Sequence, residues 1–122
     1  MRMTNKDLIK HCNELNDLLQ KEEEQGTSSF SGLALLTITR NFRKLIDEYS
    51  NNYEKDFARF KKRFYKDDGE TLLDDVTAEE ANKELSELLE YEVDVPIVML
   101  KPSDVESVHS VTSILALDFM IL

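Results

Sequence analysis

Between Leu33 and Phe64 apolar residues recur at Leu35, Ile38, Phe42, Leu45, Tyr49, Tyr53, Phe57, Phe60 and Phe64. The steps are 3, 4, 3, 4, 4, 4, 3 and 4, with Ile46 widening the face beside Leu45. Such spacing marks one face of a helix, not strand alternation. No Pro or Gly interrupts it after Gly32. A single helix over about 31–64 is predicted, close to 50 Å long at about 1.5 Å per residue. An element of that length dictates that the shorter pieces pack along it.

A second helical pattern precedes it. Leu8, Cys12, Leu15 and Leu19 step by 4, 3 and 4, with Ile9 and Leu18 beside them. Thr4 or Asn5 is placed to cap this helix, Asp7 suits the positive end of its dipole, and Gly26 is placed to end it. Gln25–Ser31 is then a short turn, with Ser29 or Ser31 capping the long helix. Two helices joined this way form an antiparallel hairpin. The first is the shorter, so it covers only the half of the long helix nearest the turn. Tyr53, Phe57, Phe60 and Phe64 need other cover.

Lys66–Asp75 reads as a loop or short hairpin, with Asp68-Gly69 as its turn signal. Thr77, followed by Glu80 three residues on, predicts a capped third helix over about 77–91. Its apolar face is Ala81, Leu85, Leu88 and Leu89, and it is the expected cover for the second half of the long helix. The period then changes. Val93, Val95, Ile97 and Val98 predict an extended or β segment over about 92–100, which Pro96 breaks or confines to an edge. Its expected partners are Thr71–Leu73 or Ser107–Val111. Lys101–Asp104 is a turn, with a single helical turn at Ser103–Glu106. Ser110 or Thr112 then caps a short C-terminal helix, Val111–Phe119, whose apolar residues require docking. The whole is a mainly α single domain, 1–122.

Charge sharpens this picture. The chain carries a net charge of −10, with 33% charged and 41% hydrophobic residues, a globular balance. An acidic chain repels phosphate backbones, which argues against direct nucleic-acid binding. The charge is unevenly spread. Arg40–Arg63 holds eight basic against four acidic residues, and Asp67–Asp94 holds twelve acids against Lys83 alone. One reading pairs these faces within the molecule. The other offers Asp74, Asp75, Glu79, Glu80, Glu84, Glu87 and Glu90 to a basic partner.

Candidate chemistry is thin. Cys12 is the lone cysteine, which excludes an internal disulfide and a thiolate zinc cage and suits a reducing cytosol. Adjacent positions on a helix diverge by about 100°, so His11 and Cys12 do not form a nucleophile–base pair. Gly26, Gly32 and Gly69 are scattered and make no phosphate loop. Asp67 and Asp68 lack the alternate spacing of a calcium loop. Ser107 and Ser110 flank His109 at the entrance to the last helix. Arg59, Lys61, Lys62 and Arg63 interleave with aromatics, a pattern some nucleic-acid binders share, but here the aromatics keep helical spacing. The expectation is no enzyme, no cofactor and no metal. Met1–Asn16 has no apolar leader, and no run is long enough to span a membrane.

Three motifs, in order, carry a resemblance. They are Thr39-Arg40-Asn41-Phe42-Arg43-Lys44-Leu45; Ala81-Asn82-Lys83-Glu84-Leu85-Ser86-Glu87-Leu88-Leu89, followed by Glu92-Val93-Asp94-Val95; and Leu115-Ala116-Leu117-Asp118-Phe119-Met120-Ile121. With the Asn5-Lys6-Asp7-Leu8 opening, the chain resembles a family of small acidic phage and prophage proteins that has no established activity. Relatives carry a longer charged hairpin in place of Lys66–Asp75 and often a Pro where this chain has Ser31. The resemblance implies a phage origin and the host bacterial cytoplasm, and implies no chemistry. Three roles follow as expectations. The first is an interaction protein that binds, and inhibits, a host protein such as a nucleic-acid-binding defence enzyme. The second is a virion or assembly component that oligomerises through the uncovered stripe and the tail from Ile114. The third is a DNA-associated regulator acting through Arg59–Arg63.

Overall fold

The computed structural model describes residues 1–26 and 29–122. Thr27 and Ser28, within the predicted first turn, lie outside the described residues.

Side-chain caps set most helix boundaries. The Thr4 hydroxyl accepts from the Asp7 N–H and opens α1, Asn5–Gln25. Gly26 closes it at φ 69°, left-handed backbone that glycine adopts without strain. Ser31 accepts from the Ala34 N–H and opens α2, Gly32–Glu48. The helix continues without a break through a π turn, Tyr49–Tyr53, into α3, Glu54–Phe64. Thr77 caps α4, Ala78–Glu90, and Ser110 caps α5, Val111–Leu117. A 3-10 turn at Pro102–Val105 and another at Asp118–Met120 complete the helical pieces.

The predicted rod is therefore present, with one feature not foreseen. In its middle the Glu54 N–H reaches back to the Tyr49 carbonyl, five residues away. The stripe explains why. Each four-residue step overshoots a full α-helical turn by about 40°, and three in succession run from Leu45 to Phe57. That drift would carry the second half of the stripe about 120° off the buried side. A π turn holds an extra residue and takes most of the drift back. Ile38, Leu45, Tyr53, Phe60 and Phe64 are accordingly all buried.

Two apolar clusters lie along the rod. The larger joins α1 (Leu8, Cys12, Leu15, Leu18), α2 (Ala34, Ile38, Leu45), Val95, Leu100, and the C-terminal Ala116, Leu117 and Met120. The smaller joins Phe60 and Phe64 to Ala81 of α4, flanked by Phe57, Tyr65, Leu72, Val76 and Leu85. As expected, α1 covers the near half of the rod, while α4 and the 65–76 loop cover the far half. Between the clusters the rings of Tyr49, Tyr53, Phe57, Phe60 and Phe64 follow one another at centroid distances of 5.3–5.9 Å.

The extended segment pairs differently from expectation. Its strand β2, Glu92–Asp94, runs antiparallel to β1, Arg2–Thr4, with Met3 opposite Val93. Neither Thr71–Leu73 nor Ser107–Val111 is its partner. The loop pairs with itself instead, Tyr65 opposite Leu72, across a turn closed by the Gly69 N–H on the Lys66 carbonyl. Gly69 sits at φ 71° there. Three residues with one buried apolar side chain, Met3, carry too little period for β1 to be read from sequence. Asn5 then locks the junction. Its N–H donates to the Tyr91 carbonyl and its carboxamide to Leu88, both at 2.9 Å, so the C-terminal end of α4 gains partners for its free carbonyls.

The tail is docked by backbone bonds as well as packing. Leu100 N–H donates to Met120, and Leu122 N–H donates to Leu100, at 2.6 and 2.8 Å.

Candidate interaction surface

A groove of about 650 Å³ opens between the π turn, α4 and β2. Glu48, Asn52 and Asp56 line one wall and sit four residues apart. Across the π turn that spacing keeps them on one side of the rod. Glu84, Glu87, Leu88 and Tyr91 form the opposite wall, and Glu92, Val93 and Asp94 close the end. Asn5 sits at the junction of the two walls. Six lining residues are carboxylates, and none is Lys, Arg or His.

Four of the six carboxylates pair with cations at the rim. Arg59 pairs with Asp56 at 2.7 Å, Arg63 with Glu84 at 3.8 Å, and Arg2 with Glu92 at 3.4 Å. The Met1 amino group donates to Asp94 at 2.9 Å, and this neighbour holds the Asp94 carboxyl below its ordinary range. The Glu48 carboxylate accepts from the Asn52 carboxamide. All the ion-paired side chains are at least partly exposed, so each pair contributes little and yields readily to a competing cation.

The predicted acidic set divides. Glu84 and Glu87 line the groove. Asp74, Asp75, Glu79, Glu80 and Glu90 are exposed but lie outside it, and Asp74 pairs with Lys66 at 3.4 Å. Glu48, Asp56, Glu92 and Asp94 join the groove without having been singled out. Glu92 and Asp94 close the acidic run that begins at Asp67, whereas Glu48 and Asp56 stand eight residues apart on a stretch that is basic overall. Which wall they face depends on the π turn and on the unforeseen strand pairing.

The basic stretch of α3 is largely engaged within the molecule. Lys61 Nζ donates to the Gly69 carbonyl at 2.8 Å and lies 4.1 Å from the Tyr65 ring centroid. The Arg63 guanidinium lies 5.3 Å from the Phe64 ring while reaching Glu84. Both cations gain from the ring faces. Pairing between α3 and α4 is thus real but engages Glu84, not the whole acidic face.

The remaining candidates are dispersed. His11 is half-buried and stacks on Phe119 at 3.7 Å, and burial lowers its pKa against the opposing pull of Asp7 and Glu14. Cys12 is buried, and desolvation pushes its thiol up to about 11, far from a reactive thiolate. His109 is exposed, and Ser110 is spent on the α5 cap. Among the described residues no three His, Cys, Asp or Glu side chains gather as a metal site, and no helix is long and apolar enough to cross a membrane.

No family model, curated protein or solved structure matches the chain.

Proposed function

We propose that this chain is a non-enzymatic, phage-encoded interaction protein that acts in the host bacterial cytoplasm. It binds a basic surface on a host protein through the groove between the π turn and α4. One observation carries this reading: six carboxylates from four elements, α2, α3, α4 and β2, converge on a cleft whose lining holds no cation, four of them answered only by exposed pairs at its rim. Clustered carboxylates imitate the charge of a phosphate backbone and compete for a basic groove. A nucleic-acid-binding defence enzyme is therefore the class of host protein whose binding surface it fits, with inhibition by occupancy. The phage origin rests on the motifs around Asn41, Glu84 and Leu117.

Capture from bacterial lysate with the tagged chain, followed by affinity measurement on the captured protein, tests the reading. Affinity is expected to fall by more than about tenfold between 0.1 and 0.5 M salt, as exposed charges are screened. The pair Glu84→Lys with Glu87→Lys is expected to abolish binding, while Glu79→Lys with Glu90→Lys, outside the groove, leaves most of it. Equal loss in both double variants, or salt-independent affinity, overturns the groove as the binding surface.

A further inference from the structure

Helix α5 is apolar on both sides. Ser113, Ala116 and Leu117 face the core and are buried. On the opposite side Val111 and Leu115 are 71% and 65% exposed, with Ile114 beside them at 40%. Its sequence, Val-Thr-Ser-Ile-Leu-Ala-Leu, contains no charge. A helix on a protein surface normally turns a polar face to water, and one apolar all round is normally buried all round. Beside it runs a groove between α1 and α5 of about 180 Å³, floored by Leu18, Ser113 and Ala116. That is the scale of the space left by a deleted core leucine, on the order of 150 Å³.

Knob and hole therefore share one face: Leu115, 65% exposed, forms one wall of a cleft of leucine size. Glu14, Asp17 and Lys21, on one face of α1, flank the cleft, the last two one helical turn apart. A two-fold axis crossing α1 between those two sets Lys21 of each copy against Asp17 of the other. An isologous contact requires this kind of self-complementarity. We propose that two copies of this chain pair through the α1–α5 face, with Leu115 of each copy seated in the other's groove. A stable dimer hides about 800 Å² per partner, more than a seven-residue helix offers, so the outer flank of α1 takes part. The acidic groove at the π turn is built from other residues and stays open, giving a dimer with two acidic clefts.

Each copy carries a net charge of −10, so long-range repulsion opposes pairing and salt relieves it. Self-association is thus expected to hold or tighten at 0.5 M salt, the reverse of the salt response expected for the host partner. Sedimentation equilibrium of the intact chain at about 100 µM, enough to populate a dimer of micromolar affinity, provides the test. The expected mass is twice that of the chain. Leu115→Asp is expected to weaken pairing at least about 100-fold, with an unchanged circular dichroism spectrum because the side chain is exposed. Lys21→Asp and Asp17→Lys are each expected to weaken it, and the double swap to restore it. A monomer at this concentration, a dimer indifferent to Leu115→Asp, a swap that restores nothing, or growth beyond two copies overturns the proposal.

Discussion

The Asn41 carboxamide clasps the backbone of Val98. Its Nδ2 donates to the Val98 carbonyl at 2.8 Å, and its Oδ1 accepts from the Val98 N–H at 3.0 Å. Asn41 is fully buried in the middle of α2, where an amide is tolerated only with partners. The clasp satisfies a stretch that has left the β ladder after Val95, while Lys44 donates to the Pro96 carbonyl at 2.8 Å. The rod thus holds the extended segment by side chain to backbone.

Asn41→Ala is expected to cost about 2–4 kcal/mol, since it strands both Val98 groups and leaves a void. Urea denaturation measures it. Asn41→Asp is expected to be at least as costly, because it buries a charge and deletes the donor.

The π turn makes deletion and insertion unequal. Removing Asn51 leaves apolar steps of alternating 3 and 4 along the whole stripe, the pattern a plain α-helix buries. That variant is expected to fold with stability within about 1 kcal/mol of the parent. Adding one residue at the same place rotates α3 by about 100° and is expected to expose Phe60 and Phe64. Thermal unfolding and dye binding to exposed apolar surface compare the two.

The His11 ring, stacked on Phe119, favours the neutral form. Its folded pKa lies below the ordinary 6.5, so the unfolded chain binds the extra proton. Its contribution is complete above 6.5 and is lost as pH falls from there through the folded pKa. His11→Phe keeps the stack and is expected to flatten this part of the stability–pH profile, read by thermal melts at stepped pH.

Asp68 accepts from the Thr71 hydroxyl at 2.6 Å and from the Glu70 and Thr71 N–H groups, which hold its pKa down to about 2. A depressed carboxyl contributes stability above its unfolded value near 3.8, and that contribution is lost as pH falls toward 2. Carboxyl NMR titration is expected to place the midpoint near 2 and to move it upward in Thr71→Val.

Cys12, with its thiol near 11, is expected to resist a thiol reagent at pH 8 and to react on unfolding. The labelling rate then reports opening of the α1–α2 core.

Much of the fold is written in short-range chemistry. Thr4, Gly26, Ser31, Thr77 and Ser110 bound their helices because a cap needs only its own neighbours within three residues. The apolar stripe announces the rod, and its three successive four-residue steps hold the clue to the π turn. The candidate surface was legible in part. Glu84, Glu87, Glu92 and Asp94 belong to a visible acidic run, whereas Glu48 and Asp56 sit within Arg40–Arg63, a stretch that is basic overall.

What the chain determined by itself was therefore its list of helices, their ends and the side of each that seeks burial, all set by periodicity and local hydrogen bonding. Three-dimensional packing alone decided that Met3 pairs with Val93, that Asn41 grips Val98, and that carboxylates up to 46 residues apart share one cleft. Those relations depend on which distant backbone groups remain unsatisfied once the helices have packed. A one-dimensional pattern carries no record of them.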